Sequence, residues 1–417
     1  MRNTYFTGCL LALAAGTTGC KWSEFDDLEG DTWVTSTDKP NGDSTDYGLA
    51  IARGQRGPNG GKLVVIGAGQ AQYTELVYSP DGSVDLAPTA QKLNSQFGIG
   101  NLDPQPILLA DPASDEVSLV VNSGGQSIAV LTGAGGLIAH QVFGPMEPEA
   151  ATYLVPPPNT VQPTPPSQVL VASMDKVYGA FVANTPNPQP SCALVDDAAM
   201  SLRIRALGAA RLAPSTSDDV LVWGDTGSGG NAKLQMYPGS VFAGCATPQI
   251  PLVGWTAATT TFAPAKGSHI VMIGSTHALL VGHKELGNSD SYLALFRIDA
   301  SAKTFSLVGA PVTIPELRTA AIYEEGTKKF VVAGYPTTVV DGVKSGRVLV
   351  FPLDLTTGIG DMPAMTLHDA SADDEQQFGR AIAVIPFNGR QVIAVGADNE
   401  IFTYFKTSQY EETRTGR

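Results

Sequence analysis

Cysteine is scarce: the chain has four in 417 residues. That excludes a small disulfide-stapled scaffold. With no paired Cys-x-x-Cys and no His-x-x-x-His spacing, it also gives no zinc motif. Charge is thin too, at 16% Asp, Glu, Lys and Arg, and it is unbalanced, with 40 acids against 26 bases. A net charge of −14 repels nucleic acid, which is therefore not an expected partner. Runs of Leu, Glu, Lys and Arg that would build long amphipathic helices are missing. So are a Gly-x-Ser-x-Gly elbow and a Gly-x-x-x-x-Gly-Lys-Ser/Thr phosphate loop. No stretch after the N-terminus is long and apolar enough to span a bilayer.

What is present points to turns and short strands. There are 45 Gly and 29 Pro, and hydrophobic residues make up 43%. The chain is too apolar for a disordered segment and is punctuated like an all-β fold. At this length a single core is strained, whereas a repeat architecture buries each unit against its neighbours.

The N-terminus reads as an export signal: Arg2, then an apolar stretch from Phe6 to Ala15. Thr17-Thr18-Gly19-Cys20 resembles the lipobox of bacterial lipoproteins, with Thr17 where Leu is usual. That resemblance implies lipidation at Cys20 and cleavage after residue 19. Ordinary signal cleavage after Ala12-Leu13-Ala14 is the competing reading, and it leaves Cys20 a plain thiol. Lys21, in place of Asp, favours the outer membrane. Residues 20–46 are an acidic tether, interrupted by the strand-like run Asp31-Thr32-Trp33-Val34-Thr35-Ser36-Thr37, a candidate to pair with the last repeat unit.

A repeat follows over 47–405, and 406–417 form a polar tail. An apolar run ends in Gly, a polar turn follows, and a second strand-like run comes next. Clear copies are Leu63-Val64-Val65-Ile66-Gly67, Val220-Leu221-Val222-Trp223-Gly224, Phe330-Val331-Val332-Ala333-Gly334 and Val392-Ile393-Ala394-Val395-Gly396. Weaker copies begin at Ile107, Gln168 and Ala278. Their spacing of about 50–60 residues leaves room for a four-stranded propeller blade. Continuous apolar runs suit strands buried on both faces, and the terminal Gly permits close packing where blades crowd. The fold class expected is all-β, a seven-bladed β-propeller of four-stranded antiparallel blades. A generic all-β repeat or a pair of sandwiches is the alternative.

Phe378-Gly379-Arg380-Ala381, with Asn388-Gly389 and Val395-Gly396-Ala397, resembles the FG-GAP repeat of integrin α-subunit propellers. Tyr47-Gly48 with Ile66-Gly67-Ala68 and Phe97-Gly98 are further matches. The resemblance implies calcium loops, but the equivalent segments carry Arg53, Arg56 and Arg390 and no carboxylate, so no metal and no cofactor are expected. The acidic clusters at Asp111–Glu116 and Asp369–Glu375 lack the spacing. His140, His269, His277, His283 and His368 are scattered and read as structural or surface residues.

After Cys9 and Cys20, Cys192 and Cys245 remain, about one repeat apart. In an oxidising compartment they are a candidate disulfide, the alternative being two free thiols. The function expected is a lipid-anchored envelope protein, periplasmic or surface-exposed, whose propeller binds a protein or glycan partner. The rival is a propeller glycosidase or lyase with carboxylates contributed by distant blades. A calcium-dependent adhesin is a third reading.

Overall fold

Successive residues of one strand show how this sequence builds its architecture. Val331 and Ala333 pack into one hydrophobic cluster with Leu279, Leu293 and Leu295. Val332, between them, packs into a different cluster with Ile382, Ile393 and Val395. The same split divides Val220 and Val222 from Leu221 and Trp223, and Val392 and Ala394 from Ile393 and Val395. Because side chains alternate across a strand, an unbroken apolar run feeds two cores at once. Each such side chain contributes about 1.5–3 kcal/mol of burial. This is a stack of sheets in which each core lies between neighbours.

In the computed structural model the residues described are 32–38, 47–53, 62–67, 72–78, 84–86, 91–92, 106–110, 117–122, 127–133, 139–145, 148–155, 168–181, 192–193, 195–196, 200–212, 217–225, 232–239, 252, 254–282, 290–340, 343–368, 377–387, 390–398 and 400–406.

Strand β1 (Thr32–Asp38) is the first of the described strands. The first sheet holds β2 (Tyr47–Arg53), β3 (Lys62–Gly67), β4 (Gln72–Tyr78), β5 (Val84–Leu86) and β6 (Gln91–Lys92). The second holds β7 (Ile107–Ala110), β8 (Val117–Asn122), β9 (Ser127–Gly133) and β10 (Ala139–Pro145). The third holds β11 (Ala150–Leu154), β12 (Gln168–Ser173), β13 (Lys176–Phe181) and β14 (Cys192–Ala193). A ribbon of β15 (Val195–Asp196) and β16 (Met200–Ser201) follows. Next come β17 (Arg203–Ala210), β18 (Asp219–Asp225), β19 (Ala232–Tyr237) and β20 (Ala258–Thr260). They are followed by β21 (His269–Ile273), β22 (His277–Gly282), β23 (Asp290–Asp299) and β24 (Thr304–Pro315). The penultimate sheet combines β25 (Thr319–Glu325), β26 (Lys328–Tyr335), β29 (Arg347–Asp354), β30 (Gly358–Ile359) and β31 (Met365–Leu367), with a ribbon of β27 (Val339–Val340) and β28 (Val343–Lys344). The last comprises β32 (Ala381–Phe387), β33 (Arg390–Gly396) and β34 (Glu400–Lys406).

All strand pairs within these sheets are antiparallel, and their first strands contact one another in turn: β2, β7, β11, β17, β21, β25, β32 and back to β2. The architecture is an all-β propeller. β1 lies antiparallel to β34, from Thr32 opposite Lys406 to Asp38 opposite Glu400. A strand from the start of the chain thus closes the sheet formed by its end.

The expectation of seven four-stranded blades is overturned. Along the described strands five sheets are four-stranded, two others have five strands, and two ribbons have two. The physical cause is a divided outer strand. β4 pairs with β5 at Leu76–Tyr78 and with β6 at Gln72 and Tyr73. β29 pairs with β30 at Leu353 and Asp354 and with β31 at Val348–Val350. In the second case Pro363, which has no N–H to give to a ladder, lies in the break between β30 and β31.

The repeat register also needs one correction. Six of the apolar runs form second strands of their sheets, but Ile107–Ala110 forms a first strand. The second strand there is β8, Val117-Ser118-Leu119-Val120-Val121-Asn122, which ends in Asn where the other clear copies end in Gly.

Candidate functional site at the face where the first strands begin

The strands around the axis are short of chemistry. β7 is Ile-Leu-Leu-Ala, β11 Ala-Ala-Thr-Tyr-Leu and β32 Ala-Ile-Ala-Val-Ile-Pro-Phe. Charged and imidazole side chains on the first strands stand at strand ends: Arg53, Arg203, Arg205, His269, Glu324 and Glu325. Antiparallel order puts the start of each first strand beside the end of the second and the start of the third. Arg203, Arg205 and His269 stand on this face, whereas Arg53, Glu324 and Glu325 end their strands on the opposite one.

The Gly-ended runs pack here. Gly334 is the penultimate residue of the second strand of one sheet, and Gly379 precedes the first strand of the next. A β-carbon at Gly334 would lie 2.0 Å from the Gly379 carbonyl oxygen. Gly379 takes a positive φ of 91°, and its N–H donates to the carbonyl of Gly396 in its own sheet at 3.0 Å. The contact recurs one sheet on: a β-carbon at Gly396 would lie 2.4 Å from the Gly48 oxygen. Gly48, with φ 86°, follows Tyr47 as Gly379 follows Phe378. Both aromatics are fully buried, and Phe378 meets Phe402 edge-on at 5.2 Å. Each aromatic-Gly pair is thus a joint between neighbouring sheets.

Elsewhere on this face, between the β11 and β17 sheets, lies a buried charge network. Arg205 donates to the Glu149 carboxylate at 2.8 Å and lies 3.5 Å from Asp225. Its side chain is only 5% exposed. Arg203, more exposed, reaches the same Glu149 at 3.5 Å. Glu149 precedes β11 and the two arginines open β17, so the network ties two sheets.

His269 makes a different link. The Ala320 N–H, on the next first strand, donates to His269 Nε2 at 3.3 Å. Nε2 must then be unprotonated, which leaves the proton on Nδ1, 3.4 Å from the Gly267 carbonyl. Burial lowers the imidazole pKa against the opposing pull of the Gly267 and Ala320 backbone hydrogen bonds.

Exposed apolar side chains share the face. Met174 is 61% exposed, at a turn with φ 54°. Its carbonyl accepts from Ile204 N–H at 2.7 Å, holding the turn against the next sheet. Val339, between the second and third strands of another sheet, is 55% exposed.

Of the histidines singled out in the sequence, His269 stands on this face. His269 and His277 sit at opposite ends of the β21–β22 hairpin, since His277 pairs with Ile273. His140 lies in β10, opposite Leu131, and His368 follows β31. His283 lies outside the described residues. Among the described residues no group of three or more His, Cys, Asp or Glu could hold a metal ion. Cys192 is in β14, opposite Val177. Cys245 and Cys20 lie outside the described residues, as does the Asp111–Glu116 cluster, and no disulfide is seen among the residues described. Among them, too, no helix is long and apolar enough to cross a membrane. The Glu149–Arg205–Asp225 network could not be read from sequence, because its members come from distant turns.

No family model matches this chain, and no curated protein matches it. Solved structures do. One is a chain in the crystal structure of BBS1N in complex with ARL6DN, soaked with lead. It is 10% identical, with a TM-score of 0.51, and the match covers 90% of this chain and 96% of that one. Another is a chain of apo ctPRC2 in an autoinhibited state, 11% identical, with a TM-score of 0.50 over 89% and 97% of the two chains. At this identity the likeness concerns the propeller fold.

Proposed function

We propose that this chain is a lipid-anchored envelope protein that binds a protein partner through the face where its first strands begin. The observation that carries the proposal is the distribution of side chains. Among the described residues, two of the four exposed large apolar side chains, Met174 and Val339, stand on that face with the half-exposed Arg203, whereas Leu307 and Met362 lie on or beside outer strands. The central positions of the first strands around the axis carry no charged side chain. Interfaces combine apolar and Arg anchors held by rigid supports, whereas a glycosidase needs a pair of carboxylates across a cleft.

The N-terminal Thr17-Thr18-Gly19-Cys20 supports lipidation of Cys20, and the aromatic-Gly joints support descent from FG-GAP-like repeats. Cys192 with Cys245 is the proposed disulfide. The test is affinity capture from envelope extracts with the wild-type chain and Met174→Glu. A partner retained by the wild type and lost with Met174→Glu supports the reading. A partner retained equally by both contradicts the assignment of the face. Metabolic labelling with an alkyne fatty acid, lost in Cys20→Ser, tests the anchor.

A further inference from the structure

The strand that closes the ring is also the described strand nearest in sequence to Cys20. Its direction follows from three registers. Ala381, where β32 begins, lies opposite Gly396, and Gly396 lies opposite Ile401 near the start of β34. Glu400 therefore stands at the face where first strands begin, and Lys406 at the opposite face. β1 is the outermost strand of this sheet, with Asp38 opposite Glu400 and Thr32 opposite Lys406. It thus starts, at Thr32, on the outer rim of the face where first strands end.

Thr32 stands twelve positions after Cys20. Fully extended, that stretch reaches at most about 40 Å. A first strand such as β25 has seven residues and separates the two faces by about 23 Å. For the face where first strands begin to lie nearer an anchor at Cys20, the stretch would have to climb the outside of the rim, which takes up more than half of its reach. Charge acts in the same direction. Residues 21–31 carry Glu24, Asp26, Asp27, Glu29 and Asp31 against Lys21, and like charges extend a linker. The chain's net charge of −14 sets the body against an anionic headgroup layer. A repelled body held by one rim turns that rim toward the surface and the rest away.

The turns at this face suit that position. Among the described residues, 274–276 join β21 to β22, and Gly326 with Thr327 joins β25 to β26, so little projects past the strand ends there. Two outer turns are held alike. Asp299 accepts from the Ser301 and Ala302 N–H groups at 3.0 and 2.9 Å, and Asp354 from those of Thr356 and Thr357 at 2.7 and 3.0 Å. The β27–β28 ribbon stands on the other face.

We propose that the face where first strands end is the membrane-facing side of the protein, held toward the bilayer by the short stretch before β1, and that the face where first strands begin is presented outward. The proposal rests on the lipidation of Cys20 argued above.

The test uses the full lipidated chain in vesicles of phosphatidylethanolamine and phosphatidylglycerol that carry a rhodamine-labelled lipid. A fluorescent amino acid replaces either Thr327 or Val339, exposed residues of one blade at opposite faces. Energy transfer to the rhodamine is expected to be at least about twofold stronger from Thr327, with the faces about 23 Å apart. Inserting about 30 Gly and Ser residues between Gly30 and Asp31 should bring the two sites close to equality, because a long flexible linker frees the body to turn. Equal transfer without the insertion, or stronger transfer from Val339, would overturn the orientation and leave the anchor standing. A difference that survives the insertion would also overturn the proposal, since the face would then hold to lipid without the short stretch. A chain that takes up no fatty acid at Cys20 and stays off the vesicles would overturn anchor and orientation together.

Discussion

The α-carbon of Gly334 faces the carbonyl oxygen of Gly379 so closely that a β-carbon at 334 would lie 2.0 Å from it. One residue lies next to the end of a second strand and the other introduces the next sheet, so this contact fixes the spacing of neighbours. The obstacle is backbone, which cannot rotate away. Gly334→Ala is therefore expected to destabilise by about 2–3 kcal/mol, read as a lower urea midpoint. Gly326→Ala is the control. Its φ of 58° carries a strain of about 1–2 kcal/mol, but nothing lies within 4 Å of the added carbon. The chain with Gly326→Ala should be the more stable of the two.

Arg205 should be the costliest charge to remove. Its buried guanidinium faces Glu149 and Asp225, and Arg205→Ala leaves two carboxylates without it at a dry joint. A loss of about 3–5 kcal/mol is expected, measured by chemical denaturation. Arg203→Ala, at an exposed position sharing only Glu149, should cost about 1 kcal/mol or less.

The His269 link predicts a dependence on pH. Its folded pKa is lowered by burial, so the folded state holds the imidazole neutral while the unfolded chain protonates it near pH 6.5. The stabilisation is therefore full above about pH 6.5 and is lost as pH falls through the lowered folded value. His277, also lowered by burial, contributes in the same direction. His269→Gln removes only its own share. Wild type should exceed His269→Gln in melting temperature at pH 8, with the gap narrowing toward pH 5. A constant gap would show that the imidazole does not titrate with folding.

The pairing of β1 with β34 predicts which part of the N-terminal segment matters for folding. Removing residues up to 31 leaves β1 intact and should not move the melting temperature. Removing residues up to 38 strips the β34 edge of its partner along seven residues, Thr32 to Asp38. That should lower the melting temperature by several degrees and promote association through the bare edge.

Much of this fold is legible in the sequence, because its apolar runs have a physical meaning. Leu221 and Trp223 face one core and Val220 and Val222 another, so the run has no reason to alternate with polar residues. The closing Gly is legible for the same reason. A β-carbon on Gly224 would meet the Arg203 oxygen at 2.4 Å, and one on Gly282 the Trp223 ring at 2.8 Å. The aromatic-Gly pairs at Tyr47 and Phe378 mark the other half of each joint.

What escapes the sequence lies at the outer edge and in the loops. β8 ends in Asn, so it resembles a turn-flanked run rather than a repeat unit. The divided outer strands are too short for a hydrophobic period, as the two residues of β30 show. The buried charge network depends on which turns the closed ring brings together. Glu149 and Arg205 are 56 positions apart in the chain, and no local pattern announces their pairing.

Partner binding is assigned to one face of the propeller. Site-specific photo-crosslinking in intact cells tests it most directly, with the reactive residue placed in turn at Met174, Val339, Ser275 and Thr327. The first two stand where first strands begin, and the last two lie in first-to-second-strand turns on the opposite face. One partner crosslinked from Met174 and Val339, and not from Ser275 or Thr327, is the predicted result. The same partner crosslinked from Ser275 and Thr327 alone would contradict it.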